Sequence, residues 1–402
     1  MKINYHYIIK KCFLLSALLL VLPNKVREIP LALLGLFSII LYFREKIFNK
    51  QDIFLFLYFF ELAFSLIYTK DIKYGFQYLE SQLPFFYLPF TYLVFTRNFF
   101  LSSDFIIKWI KLFNLSNVLF SIFFISYFLF QSQSISYNNI RTALDTIPLL
   151  GIHPIYISII AVLAIFTNLH TQNKHKALQF IFIFVNLFLL VISGVRATLL
   201  LFPIIILAFL LISNLRLIIK IYMVLLILIL SYGVVIFNKD FTKRLSEILN
   251  PVTYNQVNLH NSTSIRASIW DCALIQAKHS NPLIGEGIGS TRGLLQKCYD
   301  SKYPELNKYY NTHNQYLSIY VSTGIIGLIS IILFLYLISK SVSLQNKKYF
   351  IFTLIFYLYM FIFENVLERK YGLLFFLTFL LFVFNNNNEL DTDYSDYMFI
   401  KC

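Results

Sequence analysis

A chain of 402 residues that is 58% hydrophobic and 13% charged, with a mean hydropathy of +0.68, is too apolar for a soluble globular protein. Its formal net charge of +14 raises the question of a nucleic-acid partner. The lysines and arginines instead fall in short connections between apolar runs, with no basic stripe interleaved with aromatics, which argues against nucleic acid. The composition points to an all-α, polytopic helical membrane protein, because a helix crossing roughly 30 Å of hydrocarbon needs about 20 apolar residues.

Twelve apolar runs are read as spans, at 8–23, 29–43, 53–68, 82–96, 112–130, 153–169, 177–193, 197–213, 217–237, 314–338, 349–366 and 371–384. The first lacks a small-residue cleavage site and passes directly into further spans, so it reads as a helix rather than a cleaved signal. Tyr and Phe crowd the ends of many runs, as interfacial belts do. The organisation expected is helices one to nine over 1–237, a large loop with short helices over 238–313, helices ten to twelve over 314–384, and a polar tail over 385–402.

Positive charge decides the orientation. Arg44, Lys46, Lys50, Arg97, Lys108, Lys111, Lys174, Lys176, Arg216, Lys220, Lys340, Lys347 and Lys348 lie in the even connections, and Lys2, Lys10 and Lys11 precede the first run. The opposite connections carry fewer, Lys25, Arg27, Lys70, Lys73, Arg141, Arg196, Arg369 and Lys370, a bias of about two to one. Both termini are then expected in the cytoplasm and the large loop outside, periplasmic in a Gram-negative cell. Asp391-Thr-Asp393 in the tail mimics a metal-binding Asp-x-Asp, which chance explains best at a polar terminus.

The candidate chemistry gathers on the outer side. Arg196 sits in the tight turn Ser193-Gly-Val-Arg196, where it either faces an anionic partner or anchors a helix end by snorkelling. Ser262-Thr-Ser264 is suited to cap a helix from about 265 to 279, placing Arg266 in its first turn and Trp270 on the same face. A guanidinium at a helix N-terminus suits phosphate oxygens, although a solvated surface arginine is the blander reading of that residue alone. Asn281-Pro-Leu-Ile-Gly285-Glu-Gly287-Ile-Gly289 supplies glycines for sharp turns or close approach to a ligand. His313, with Asn311 or Thr312 as the expected cap, opens the tenth span and is suited to act as a general base. Arg141, His153, Glu364 and Glu368 are further candidates on the same side. Cys272 and Cys298 form either a disulfide, worth roughly 3 kcal/mol for a loop of about 25 residues, or two free thiols.

In order along the chain, Ser193-Gly-Val-Arg196, Arg266-Ala-Ser-Ile-Trp270, Asn281-Pro-Leu-Ile-Gly285-Glu-Gly287-Ile-Gly289, His313-Asn314-Gln-Tyr316-Leu and Gly324-Ile-Ile-Gly327-Leu resemble the motifs of the O-antigen ligase family, which also holds O-antigen polymerases. The resemblance covers roughly 150–370. It implies a GT-C-like, metal-independent glycosyltransferase without a cofactor, moving a glycan from undecaprenyl diphosphate to an acceptor hydroxyl outside the bacterial inner membrane. It also implies that Arg196 and Arg266 hold the diphosphate, that His313 activates the acceptor, and that Arg141, His153, Trp270, Gly285, Gly287, Asn314, Tyr316 and Glu364 contribute to substrate binding. The partners implied are the carrier-linked glycan, an acceptor glycan (lipid A–core or a growing polysaccharide) and membrane lipids. The shared donor leaves ligase, the leading expectation, against polymerase. A lipid-linked glycan transporter is the alternative from another class, disfavoured by the scarcity of charge within the spans, where Glu61 and Glu80 are the exceptions.

Overall fold

The computed structural model describes residues 4–98, 101–131, 136–170, 176–212, 261–306 and 309–384, with isolated short stretches between 217 and 259. Among these residues every regular element is helical. The predicted span at 217–237 and the 385–402 tail fall largely outside them. Among the described residues three helices are long and apolar enough to cross a membrane: α6 (Ser103–Phe130), α9 (Lys176–Ser193) and α13 (Gln315–Lys340). Shorter helices stand at other predicted runs, including α2 (Ile29–Arg44), α5 (Pro84–Arg97), α8 (Pro154–His170) and α10 (Arg196–Ile212), and the 20-residue α14 (Leu344–Phe363) stands at the eleventh.

Several boundaries differ from expectation, each for a local reason. The first run is helical as α1 only over Tyr5–Ser16, and continues as turns towards Pro23. The third is split into a 3-10 segment (Lys50–Leu55), α3 (Leu57–Phe64) and a further 3-10 turn. Two amphipathic helices that are too polar to register as spans, α4 (Ile72–Ser81) and α7 (Tyr137–Thr146), lie in connections on the loop side of the sequence. The last run forms α15 (Lys370–Thr378) with a π-helical extension to Val383.

Burial separates inner from outer helices. From Gly372 to Phe384 every residue is buried, and so is every residue of α8 from Pro154 to Asn168. A helix apolar on all sides must be wrapped by others, which these two are. By contrast α2 exposes Ile29, Leu33, Leu36, Ile40 and Phe43, a stripe at helical spacing that suits lipid. Polar glue joins the interior. Asn117 donates to Asn186 (2.6 Å), while Asn186 and Asn168 both donate to Asn114 Oδ1 (3.0 and 2.6 Å), linking α6, α8 and α9. Such interhelical amide bonds satisfy groups that hydrocarbon cannot.

The large loop has its own small core. Helices α11 (Ser262–His279) and α12 (Thr291–Lys302) pack Ile269, Ala273, Leu295 and Tyr299 together around a Cys272–Cys298 disulfide. The two cysteines are therefore bonded, which spacing alone left open.

Helix α13 is not the uninterrupted span expected. Gly324 sits at φ +65° inside it, and the backbone there is completed by the glycine segment. Ile325 donates to Pro282 O (2.9 Å), while Glu286 and Gly287 donate to Val321 O and Ser322 O (2.9 and 2.8 Å). A break in an apolar helix survives where another segment takes up the freed groups.

Candidate active site

Three helix beginnings converge on the loop side of the bundle. Ser193 closes α9, Gly194 turns the chain at φ +57°, and Arg196 opens α10 two residues later. The guanidinium of Arg196 reaches the first turn of α11, with Nη2 donating to Ser262 Oγ (2.6 Å) and Nη1 to Thr263 Oγ1 (3.1 Å). The cap of α11 is Asn261 rather than Ser262–Ser264, since its Oδ1 accepts from the amides of Thr263 and Ser264 (2.9 and 3.2 Å). Because the helix starts earlier than predicted, Arg266 is its fifth residue and belongs to the second turn, not the first.

Arg196 and Arg266 nevertheless face one space. A cavity of about 260 Å³ is lined by Arg141, Arg196 and Arg266, by Ser262 and Gly194, and by Phe363 and Glu364. The N-termini of α10 and α11 both border it, so helix dipoles add to the guanidinium charge. One carboxylate against three guanidinium groups gives this space the charge that suits an anion.

Beside the cavity stands His313. Its Nδ1 lies 3.2 Å from Glu364 Oε2, and the residue is held at φ +44°, a left-handed conformation unusual outside glycine. Neighbours fix that backbone: Asn311 Oδ1 accepts from the His313 amide (3.3 Å), and Trp270 Nε1 donates to the His313 carbonyl (3.3 Å). The cap of α13 is Asn314, whose side chain accepts from Leu317 N (3.0 Å), so neither Asn311 nor Thr312 is the cap and the helix begins at Gln315. Glu364, almost fully buried where α14 ends, feels the charges of His313, Arg266 and His153. His153 precedes α8, with its ring 6.4 Å from that of Tyr156.

Residues 181–332 match the family model described as O-antigen ligase. Over that stretch the chain is similar to the O-antigen ligase family. No curated protein matches the chain. The O-antigen ligase match takes in Arg196, Arg266 and His313, whereas Arg141 and Glu364 are supplied from outside the matched residues.

Other sequence candidates lie away from the arginine cavity. Gly285 (φ +68°) and Gly287 (φ +86°) do not line the arginine cavity; a Cβ on Gly285 would lie 2.5 Å from Ser322 C, and one on Gly287 would lie 2.8 Å from Thr69 Cβ. Their segment fastens the loop to the α13 break and to the α3–α4 connection, where Tyr68 donates to Ile284 O (2.6 Å) and the Lys70 amide to Ser290 Oγ (2.8 Å). Tyr316 donates to Leu358 O (2.8 Å) and ties α13 to α14. Trp270 acts through the His313 carbonyl and packs near Phe363.

Sequence reasoning placed Glu364 among weaker candidates and did not pair it with His313. It singled out Glu368 without a partner; that carboxylate accepts from Ser318 Oγ and Asn365 Nδ2. Surrounding protein pushes the Glu368 pKa up, against the effect of those two donors. On the loop surface Asp271 is held below its usual value: burial opposes the shift, and hydrogen bonds from Lys302 and Tyr303 outweigh it.

Proposed function

We propose that this chain is an O-antigen ligase that moves a glycan from undecaprenyl diphosphate to a hydroxyl of lipid A–core on the periplasmic face of the bacterial inner membrane. The observation that carries the reading is the cavity where Arg141, Arg196 and Arg266 meet two helix N-termini beside the His313–Glu364 pair. A diphosphate leaving group gains two negative charges' worth of stabilisation from such donors, and preorganised donors act most strongly where charge develops. Arginine rather than a metal ion neutralises the leaving group in this scheme.

Nδ1 of His313 donates to Glu364, leaving Nε2 as the base that takes the acceptor proton while the acceptor oxygen attacks the anomeric carbon. The carbon–oxygen bond to the diphosphate breaks as the new glycosidic bond forms, with inversion. The proposal includes about twelve spans, both termini in the cytoplasm and the 238–313 loop outside. Undecaprenyl chains would lie between the apolar helices.

The test is a lipopolysaccharide gel of a strain lacking the gene, complemented with wild type, Arg266→Ala or His313→Ala, with carrier-linked glycan analysed in parallel. Core without O-chain, alongside long polymer accumulating on the carrier, supports the ligase. Core capped by a single repeat assigns the chain to polymerase instead. Full rescue by both variants removes the catalytic assignment.

A further inference from the structure

A second cavity, of about 360 Å³, is lined by the residues that lead into His313. Its volume falls within the roughly 300–1,000 Å³ usual for small-ligand sites. Tyr310, Asn311 and Thr312 form one wall, so the three residues leading to His313 face this space, and the Tyr310 ring is 6.5 Å from the His313 ring. Glu368 lines it too, only four residues after Glu364 lines the arginine cavity. The two cavities thus adjoin one His–Glu pair, and only one of them is rich in arginine.

The second cavity has the furniture of a sugar site. The Arg292 guanidinium lies over the rings of Tyr309 (4.2 Å) and Tyr74 (5.2 Å), which together make an aromatic shelf in the lining. Aromatic faces hold the C–H face of a pyranose, while carboxylates accept from its hydroxyls. Glu368, fixed by Ser318 and Asn365, is placed for the second task. Residues of α4 and α12 complete the lining, two helices whose connection to the base is otherwise unexplained.

We propose that this cavity is the acceptor subsite, in which the Arg292–Tyr309–Tyr74 shelf stacks a core sugar and Glu368 accepts its hydroxyls, presenting the reactive hydroxyl to His313. The proposal rests on the ligase reading above. Donor and acceptor then reach the base from separate cavities, which keeps the diphosphate charge away from the attacking hydroxyl.

The experiment uses the full chain in lipid nanodiscs, titrated with core oligosaccharide released from lipopolysaccharide by mild acid and read by calorimetry. Tyr309 is 66% exposed, so Tyr309→Ala leaves packing intact, and Arg292→Ala and Glu368→Gln extend the series. Binding to wild type that weakens tenfold or more in Tyr309→Ala and Arg292→Ala, but persists in Arg266→Ala, is the expected result. Equal binding by wild type and all variants overturns the subsite while leaving the ligase reading standing. Absence of binding to wild type overturns both, because a ligase must hold its acceptor.

Discussion

His313 Nδ1 and Glu364 Oε2 are 3.2 Å apart, although 51 residues separate them, His313 just before α13 and Glu364 just after α14. In the proposed transfer the carboxylate would orient the ring and stabilise the imidazolium that forms. Glu364→Gln preserves shape and removes charge, and it is expected to lower kcat roughly 100-fold, with His313→Ala losing about 100- to 10,000-fold. Reconstituted transfer with purified donor measures both. Wild-type turnover in Glu364→Gln would leave His313 without an orienting partner and end this assignment.

Arg196 holds two hydroxyls at once, Ser262 and Thr263, in a fork that lysine cannot reproduce. Arg196→Lys keeps the positive charge but loses the tie between α10 and α11. Transfer should fall at least tenfold, with a further loss in Arg196→Ala towards the 100- to 1,000-fold typical of a removed anion donor. If lysine supports full activity, charge alone matters and the bidentate geometry does not.

The sequence disclosed the arginines and the histidine because charged side chains beside apolar runs stand out, whatever the packing. It disclosed less about their partners. Pairing of His313 with Glu364 and of Glu368 with Ser318 depends on how α13 and α14 pack, and no local spacing encodes that. Caps slipped by a few residues, from Ser262–Ser264 to Asn261 and from Asn311 or Thr312 to Asn314, because Asn, Ser and Thr are interchangeable as cap signals. Gly285 and Gly287 stood out for their freedom to turn, and that freedom is spent on docking to α13. The aromatic shelf around Arg292 left no mark in sequence, since Tyr74 and Tyr309 lie 235 residues apart.

The Cys272–Cys298 bond closes 26 residues of chain around the loop's small core. Chain entropy assigns such a link roughly 3 kcal/mol. Cys272→Ser or Cys298→Ser should make the 262–302 region the first to be cut in limited proteolysis, and reductant should do the same to wild type. Identical cleavage kinetics with and without reductant would show that the α11–α12 core is self-sufficient.

Gly285 tests whether the glycine segment is a fastener. An added Cβ would meet the backbone of Ser322 and Thr323 at 2.5 Å, and φ +68° strains any L side chain. Gly285→Ala is therefore expected to cost roughly 2–4 kcal/mol, from overpacking and left-handed strain together. Gly293→Ala is the control, because nothing lies within 4 Å of its Cβ position. Thermal unfolding in detergent should separate the two variants clearly, and equal midpoints would mean that the α13 break relaxes freely.

Away from the site, Asp52 is 3% exposed and receives both Arg97 nitrogens (2.6 and 2.7 Å) and the Tyr42 hydroxyl (2.7 Å). This cluster joins α2, the 3-10 segment and α5 at connections read as cytoplasmic. Asp52→Ala strands a guanidinium and a buried phenol, and should cost about 3 kcal/mol, whereas Arg97→Ala costs less because Arg97 is partly open to water. Asp52→Asn keeps an acceptor for Tyr42 and is expected to fall between them. Thermal midpoints read the order of the three. Transfer activity per folded molecule should stay near wild type in all of them, since the cluster shares no residue with the arginine cavity or with the Arg292 shelf.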